Sequence, residues 1–379
     1  MVQGEGSLTP PAMTLGSDEV PGWREGETPF PLTSTTEALP PFQFSDGAED
    51  ARVSVFSGGA EGEPIFSGSQ EEFSSFAPPA NGTYLIEIEK SYAGDKAGSY
   101  TGRAVYRLAV TYDLKPVLTL EGTPVKQGGT GYLRLRNLPS QDAVPQISST
   151  DLGFTPTFYP YEDGLIALVP ARYLLEAGTY HLTVTLAGES WNFEFVVEDA
   201  NFETEEAFDV VIGPGVDTSA ANQEFLDVTN PIKKMGDPEK HWEGAFLAPL
   251  DIQPLKVSSA FGYTRIINGN TDRHGGIDFP APEGTPVRAP NNGRVLYAGK
   301  LQLTGWTICI EHGFGLKSWY YHMNGVTVET GQTVEKGQQI GMVGATGIFV
   351  TGSHLHYAMT VNTAFIDPWQ FMGEAFLEE

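Results

Sequence analysis

From Leu247 to the C-terminus the chain rarely runs far without a glycine: Gly284, Gly293, Gly299, Gly305, Gly313, Gly325, Gly331 and Gly337 follow one another, then Gly341, Gly344 and Gly347. The apolar runs between these turns are too short for helices. Short strands at even spacing describe a compact, mostly antiparallel β fold. Only Pro368 to Leu377 reads as helix there.

The upstream sequence is also β in pattern. Tyr84, Ile86 and Ile88 alternate with Leu85, Glu87 and Glu89 after the turn Asn81-Gly82. Tyr106, Leu108, Val110 and Tyr112 share one face of a second strand. Period two with one apolar side means half-buried antiparallel strands. A related ending recurs at Gly178-Thr179-Tyr180, where Leu182, Val184 and Leu186 lead through the Gly188 turn to Trp191, Phe193, Phe195 and Val197. The chain therefore reads as mainly β. The expected order is a flexible linker over 1–27, two tandem immunoglobulin-like β-sandwich modules over 28–113 and 114–199, and a linker over 200–246. A compact antiparallel-β domain over 247–379 completes it. The 200–246 linker should hold one helix, Ser219 to Thr229, capped by Asp217, Thr218 or Ser219 and stopped by Pro231.

Charge divides the chain in the same place. The net charge is −26 over 379 residues, but the part from Leu247 onward is nearly balanced, so almost all of the excess lies upstream. Such an acidic arm argues against nucleic acid and against adsorption on anionic lipid. Cys309 is the single cysteine, so no intramolecular disulfide framework exists. It lies in the apolar run Thr307-Ile308-Cys309-Ile310 and reads as a buried thiol.

Five of the seven histidines fall between His274 and His356. His354-Leu355-His356 should be a strand, which aims both imidazoles at one cleft and Leu355 at the core. His274 and Asp278 would stand about 13 Å apart on a straight strand, too far to share an ion. Gly275 and Gly276 between them allow a bend. Two imidazoles and a carboxylate are a common catalytic zinc set with one position left for water. Spacing does not say which of His354 and His356 completes it. His322, in Ser318-Trp319-Tyr320-Tyr321-His322-Met323, should share a side with Tyr320 and Ser318, as a proton shuttle or oxyanion donor. His312 reads as supporting, His181 as a solvent residue and His241 as isolated. The loop Ile267-Asn268-Gly269-Asn270 offers an asparagine oxygen that could close over the metal.

The stretch from about Ser258 to Pro368 resembles the M23 metallopeptidases, the lysostaphin and LytM group of peptidoglycan endopeptidases. The motifs that carry the resemblance are H-x-x-x-D (His274 to Asp278), A-P-E-G-T-P-V-R-A (Ala281 to Ala289), I-x-H-G-x-G-L (Ile310 to Leu316), Y-x-H-M (Tyr320 to Met323), G-A-T-G and H-L-H. This chain departs from the family at Ser353, where proline is usual, at Tyr357-Ala358 and at Trp306. These changes bear on the shape of the cleft. The resemblance implies that His274, Asp278 and His356 bind Zn2+, while His322 and His354 form the catalytic pair. It implies a zinc endopeptidase acting on peptidoglycan stem peptides or cross-bridges as a monomer. The location implied is extracytoplasmic, secreted or surface-anchored, with export signal and any membrane or wall tether outside this chain. The competing expectation is a catalytically silent peptidoglycan-binding or hydrolase-activating scaffold. Members of that kind lose metal ligands, and this chain keeps the set.

Overall fold

Period-two patterning upstream and glycine-punctuated strands downstream give a mainly β molecule in the computed structural model. It describes residues 12–15, 17–23, 27–34, 39, 42–44, 51–58, 63–92, 102–140, 142–149, 152–207, 209–210, 212, 215–348, 350, 352–373 and 375–377. No helix among them is long and apolar enough to cross a membrane. The chain divides into two units: Met1–Leu118 with Leu135–Val144 and Glu162–Gly164, and Thr119–Arg134 with Pro145–Tyr161 and Leu165–Glu379.

The first unit is built on a five-stranded sheet ordered Phe30–Ser34, Gly102–Tyr112, Gly82–Tyr92, Arg52–Ser57 and Phe66–Ser69. Tyr84, Ile86 and Ile88 are buried with Tyr106, Leu108, Val110 and Tyr112, the faces that alternation indicates. Asn81 ties the end of this sheet to the chain that follows, since its amide exchanges two hydrogen bonds with the backbone of Leu114. The expected 1–27 linker differs from what is seen. Met13–Leu15 and Asp18–Val20 are strands, and Met13, Leu15 and Val20 enter the core of this unit. Three-residue strands hold barely one period of alternation, so composition dominated the reading. Residues 1–11 and 24–26 lie outside the described residues.

The second unit opens with a four-stranded sheet ordered Val125–Lys126, Glu189–Glu198, Gly178–Leu186 and Gln146–Ser149, in which the ring of Phe195 abuts Gly131. Its core runs without a break into the C-terminal domain. Ile166 and Leu168 share a cluster with Phe261, Ile277, Phe279 and Tyr357, and Tyr159 and Tyr161 pack on Phe314. Besides a small sheet of Pro286–Arg288, Gln339–Met342 and Gly325–Val326, the C-terminal strands are β1 (Thr264–Ile267), β2 (Asn270–Arg273), β3 (Ile277–Pro280), β4 (Gly293–Leu301), β5 (Gly305–Gly313), β6 (Leu316–Met323), β7 (Thr333–Val334), β8 (His354–Val361) and β9 (Ala364–Ile366). β1 and β2 form a separate hairpin. The main sheet is ordered β3-β8-β6-β5-β4-β7, with β9 on β8.

One long helix, Thr218–Lys234, lies in the segment expected to be a linker, with Asp217 as its N-cap. It runs past Pro231 instead of stopping there. Its last turn is held by burial: Lys233 lies over the rings of Phe225, Trp319 and Phe365, and Lys317 Nζ donates to the carbonyl of Met235 at 2.6 Å. The helix expected at Pro368 to Leu377 shrinks to one 3-10 turn, Pro368–Gln370, because the buried Phe371 and the bridged Met372 leave the helical path beside Phe246.

Candidate metal and catalytic centre

The centre is assembled by register across three adjacent strands. Asp278 of β3 stands directly opposite His356 of β8, which in turn stands opposite Tyr321 of β6. Cross-strand partners share a face, so the three side chains form one row. His354 lies two residues before His356 on the same face, while Leu355 is fully buried on the other. The strand expected at H-L-H, and its parity, are what is observed.

His274 reaches the row from the chain just before β3. Its Nε2 lies 3.0 Å from Nδ1 of His356 and 3.2 Å from Oδ1 of Asp278, and Nδ1 of His356 lies 2.9 Å from the same oxygen. Three ligand atoms of a tetrahedral zinc with bonds of ~2.0–2.1 Å stand roughly 3.3 Å apart. The triangle therefore has the size that one small divalent ion requires. The bend between His274 and Asp278 contains Gly276, where a Cβ would lie 2.6 Å from the carbonyl oxygen of Tyr357 and 2.7 Å from Nε2 of His356. Glycine is needed there because the chain passes over the ligand ring, rather than for an unusual φ.

Burial sets the charge states. The carboxyl of Asp278 is pushed up by burial, but the charges and hydrogen bonds of His274 and His356 outweigh this and hold it well below the usual carboxylate range. Burial pushes His356 down to about 4 against the pull of Asp278, so its imidazole is neutral and free to ligate near neutral pH.

His322 departs from its expected side. The alternation of β6 would place it with Ser318 and Tyr320, yet its φ is 61° and the pairing with β5 slips between Trp306 and Ile308. A left-handed residue in a bulge breaks the two-residue period, and the ring turns instead toward the ligand row. Its centroid lies 5.0 Å from that of His354 and 6.2 Å from that of His356. A non-glycine residue in this conformation is strained by about 1 kcal/mol or more, a condition often met at functional sites. Ring Nδ1 of His322 is 2.9 Å from the carbonyl of Thr346, and Nδ1 of His354 is 2.8 Å from the carbonyl of Gly352. Each Nδ1 must donate, which leaves each neutral ring with its lone pair on Nε2. Nε2 of His354 lies 3.8 Å from Oδ1 of Asp278. Burial, then the neighbouring His354 and His356, push His322 down to about 3.

The remaining histidines stand apart. His312 is buried between the carbonyl of Asn292 and the hydroxyl of Ser318, and burial lowers it to about 4. His181 is exposed, and His241 faces Asp237 at 3.1 Å. Cys309 is fully buried, which raises its thiol well above the ordinary range. The amide of Asn268 exchanges hydrogen bonds with the backbone of Val210, so it is occupied there rather than at the ligand triangle.

Five residues at or behind the triangle were not singled out by sequence. Tyr321 stacks on His356 with centroids 5.0 Å apart and planes within 9°, and the helix residue Phe225 packs edge-on against Tyr321. Arg265, Ser259 and Glu205 surround His274 and Asp278 from the other side. The doubled tyrosine before His322 was the only local hint, and parity pointed to the wrong one of the pair. A cleft of ≈ 820 Å³ opens over the triangle, with His322, His354, Leu303 and Ile348 among its walls.

The buried neutral histidines give the metal-free protein an acid-sensitive stability. His312, His322 and His356 have folded pKa values of about 4, 3 and 4, below the 6.5 expected when unfolded. Between those limits the unfolded chain binds protons that the folded chain does not, so stability rises with pH and is lost as pH falls from 6.5 toward 4. Each group contributes a slope of up to ~1.4 kcal/mol per pH unit. Urea unfolding of the metal-free chain should show a clearly lower midpoint at pH 5 than at pH 7, and equal midpoints would contradict the neutral assignments.

Residues 272–368 match peptidase family M23. Among curated relatives, the chain is 35% identical over 121 residues to the peptidoglycan DD-endopeptidase ShyB of Vibrio cholerae, covering 31% of this chain and 28% of that protein. It is 39% identical over 127 residues to the peptidoglycan DD-endopeptidase ShyC of the same organism, covering 33% and 29%. Among solved structures, it is similar to the catalytic domain of the antimicrobial peptidase lysostaphin from Staphylococcus simulans, with 35% identity, a TM-score of 0.29, and coverage of 31% of this chain and 91% of that one. The chain thus spans less than a third of the length of these two curated relatives.

Proposed function

We propose, from the premise that residues 272–368 form a peptidase family M23 domain, that this chain is a zinc endopeptidase that hydrolyses peptide cross-links of bacterial peptidoglycan. The observation that carries the reading is the triangle of His274 Nε2, Asp278 Oδ1 and His356 Nδ1, with sides of 2.9 to 3.2 Å. Two imidazoles and a carboxylate are a donor set suited to zinc, and three donors leave a fourth position open. Zinc, when bound, supplies Lewis-acid polarisation of a carbonyl and brings the pKa of water toward neutrality.

The chain's own groups do the rest. His354 takes the proton of the attacking water at Nε2, the atom that its Nδ1 hydrogen bond to Gly352 leaves unprotonated. His322 presents a second Nε2 to the same space, and a proton taken up there from solvent as negative charge develops on the substrate lets it donate to the oxyanion. Tyr321, stacked on His356, fixes the plane of a ligand ring. The silent-scaffold alternative is not favoured, because every ligand and both free histidines converge on one cleft.

The relatives named as peptidoglycan DD-endopeptidases support the substrate class and an extracytoplasmic place of action. Metal analysis should find about one zinc per chain. Digestion of purified peptidoglycan should release cross-link-cleaved muropeptides by mass, stop with a chelator and resume with zinc. A metal-free protein that binds sacculi without cutting them would overturn the reading in favour of a scaffold.

A further inference from the structure

The segment before the peptidase domain enters the metal centre. Residues 203–205 add to the free side of β1: Glu205 N donates to Thr264 O at 2.9 Å, Thr264 N donates to Glu203 O at 2.9 Å, and Thr204 bridges Thr264 in parallel. Strand addition of this kind fixes side-chain direction at alternate residues. It delivers the Glu205 carboxylate, 17% exposed, to the hydroxyl of Ser259 and to within 3.8 Å of Nε of Arg265.

The hydrogen count along this group is restrictive. A serine hydroxyl has one proton to give, and a carboxylate can only accept, so the Ser259 proton goes to Glu205. The Ser259 oxygen must then accept from its other partners. These are Nε–H of Arg265 at 3.0 Å and Nδ1 of His274 at 3.1 Å. His274 Nδ1 also lies 2.9 Å from the carbonyl of Ala260, another pure acceptor. Both neighbours demand that Nδ1 carry the hydrogen, which leaves the lone pair on Nε2, the corner of the triangle. The Arg265 guanidinium meanwhile donates from its outer nitrogen to Oδ2 of Asp278, leaving Oδ1 for the triangle.

We propose that Glu205, acting through Ser259 and Arg265, is a positioning residue of the metal centre, holding His274 in the ligating tautomer and Asp278 in the ligating orientation. Glu205 lies well upstream of residues 272–368 and of the stretch from Ser258 that resembles the family, so the site is completed by chain that precedes the domain. Carboxylates commonly orient metal-bound imidazoles directly, and removing such a partner costs about 10–100-fold in metal affinity. Here a serine stands between carboxylate and ring.

This inference rests on the zinc reading above, and its test separates the two. Zinc binding to the full chain, stripped of metal, is measured by competition with a chromogenic chelator, alongside urea unfolding of the same metal-free samples. Glu205→Ala and Ser259→Ala should each weaken zinc about 10-fold. The double substitution should be little worse than either alone, because both cut one relay. Glu205→Gln, which keeps an oxygen for the serine proton, should lie closer to wild type. Arg265→Ala should weaken zinc through Asp278. A purely structural role for Glu205 would lower the unfolding midpoint and leave the zinc affinity of the folded chain unchanged. That result, or additive effects of Glu205→Ala and Ser259→Ala, would overturn the proposal. A wild-type chain that binds no zinc would remove the metal reading itself.

Discussion

His354→Ala should abolish peptidoglycan cleavage while leaving zinc in place. The ring is outside the ligand triangle: its Nε2 is 3.8 Å from Asp278 Oδ1, whereas the three triangle contacts are 3.2 Å or shorter. It is also held for one task, because its Nδ1 is committed to the Gly352 carbonyl and its lone pair faces the cleft. General-base catalysis by a positioned imidazole contributes about 10²- to 10⁴-fold to a rate, so a loss of that order is expected in the rate of muropeptide release. Zinc content should stay near one per chain, and the unfolding midpoint should move little because the ring is partly exposed. His322→Ala supplies the comparison. If the two histidines act as a unit, the double substitution will be no slower than the more damaging single one. Cleavage by His354→Ala within a few-fold of wild type would remove His354 from the base role.

What the sequence made legible and what it hid have different physical origins. The H-x-H parity of His354 and His356 is a property of one strand, and two-residue periodicity suffices to read it. The placement of Asp278 opposite His356 is a property of register between β3 and β8, which lie far apart in the chain, so the donor count left His354 and His356 open and only the family resemblance pointed to His356. His322 misled because alternation assumes regular backbone. A φ of 61° at that residue carries no local signature, since neither Tyr321 nor Met323 marks a turn. The reading of 200–246 as a linker with one helix left out a polar strand addition for a related reason. Residues 203–205 have no apolar face to betray a strand, because their pairing is one short bridge to β1 and their contribution is polar. Helix Thr218–Lys234 was visible from its Asp217 cap, but its extent past Pro231 depends on the aromatic surface of Trp319 and Phe365, which no local rule contains. Local periodicity reveals strands and caps. Register, bulges and polar strand additions are decided by tertiary partners.

Asp278→Ala should cost more than a ligand, and comparison with His356→Ala isolates the excess. Both substitutions remove one corner of the triangle, and two remaining donors hold zinc poorly, so both should lose stoichiometric metal and peptidase activity. They differ in what they leave behind. His356→Ala leaves Asp278 paired with Arg265, whereas Asp278→Ala leaves the Arg265 guanidinium facing a gap, with its side chain only 15% exposed. Breaking a largely buried pair by deleting one partner costs on the order of 3 kcal/mol, since the surviving charge stays desolvated without its counter-ion. Glu205 at 3.8 Å recovers part of that loss, but not the direct contact. Metal-free Asp278→Ala should therefore unfold at distinctly lower urea than metal-free His356→Ala, although neither binds zinc. Asp278→Asn keeps the shape and an oxygen for Arg265, so its stability should fall between the two while its zinc affinity drops sharply. Wild-type zinc affinity in Asp278→Ala would remove the carboxylate from the ligand set. Equal stability of the two alanine variants would show instead that Arg265 does not depend on Asp278, and would leave the zinc prediction standing on its own measurement.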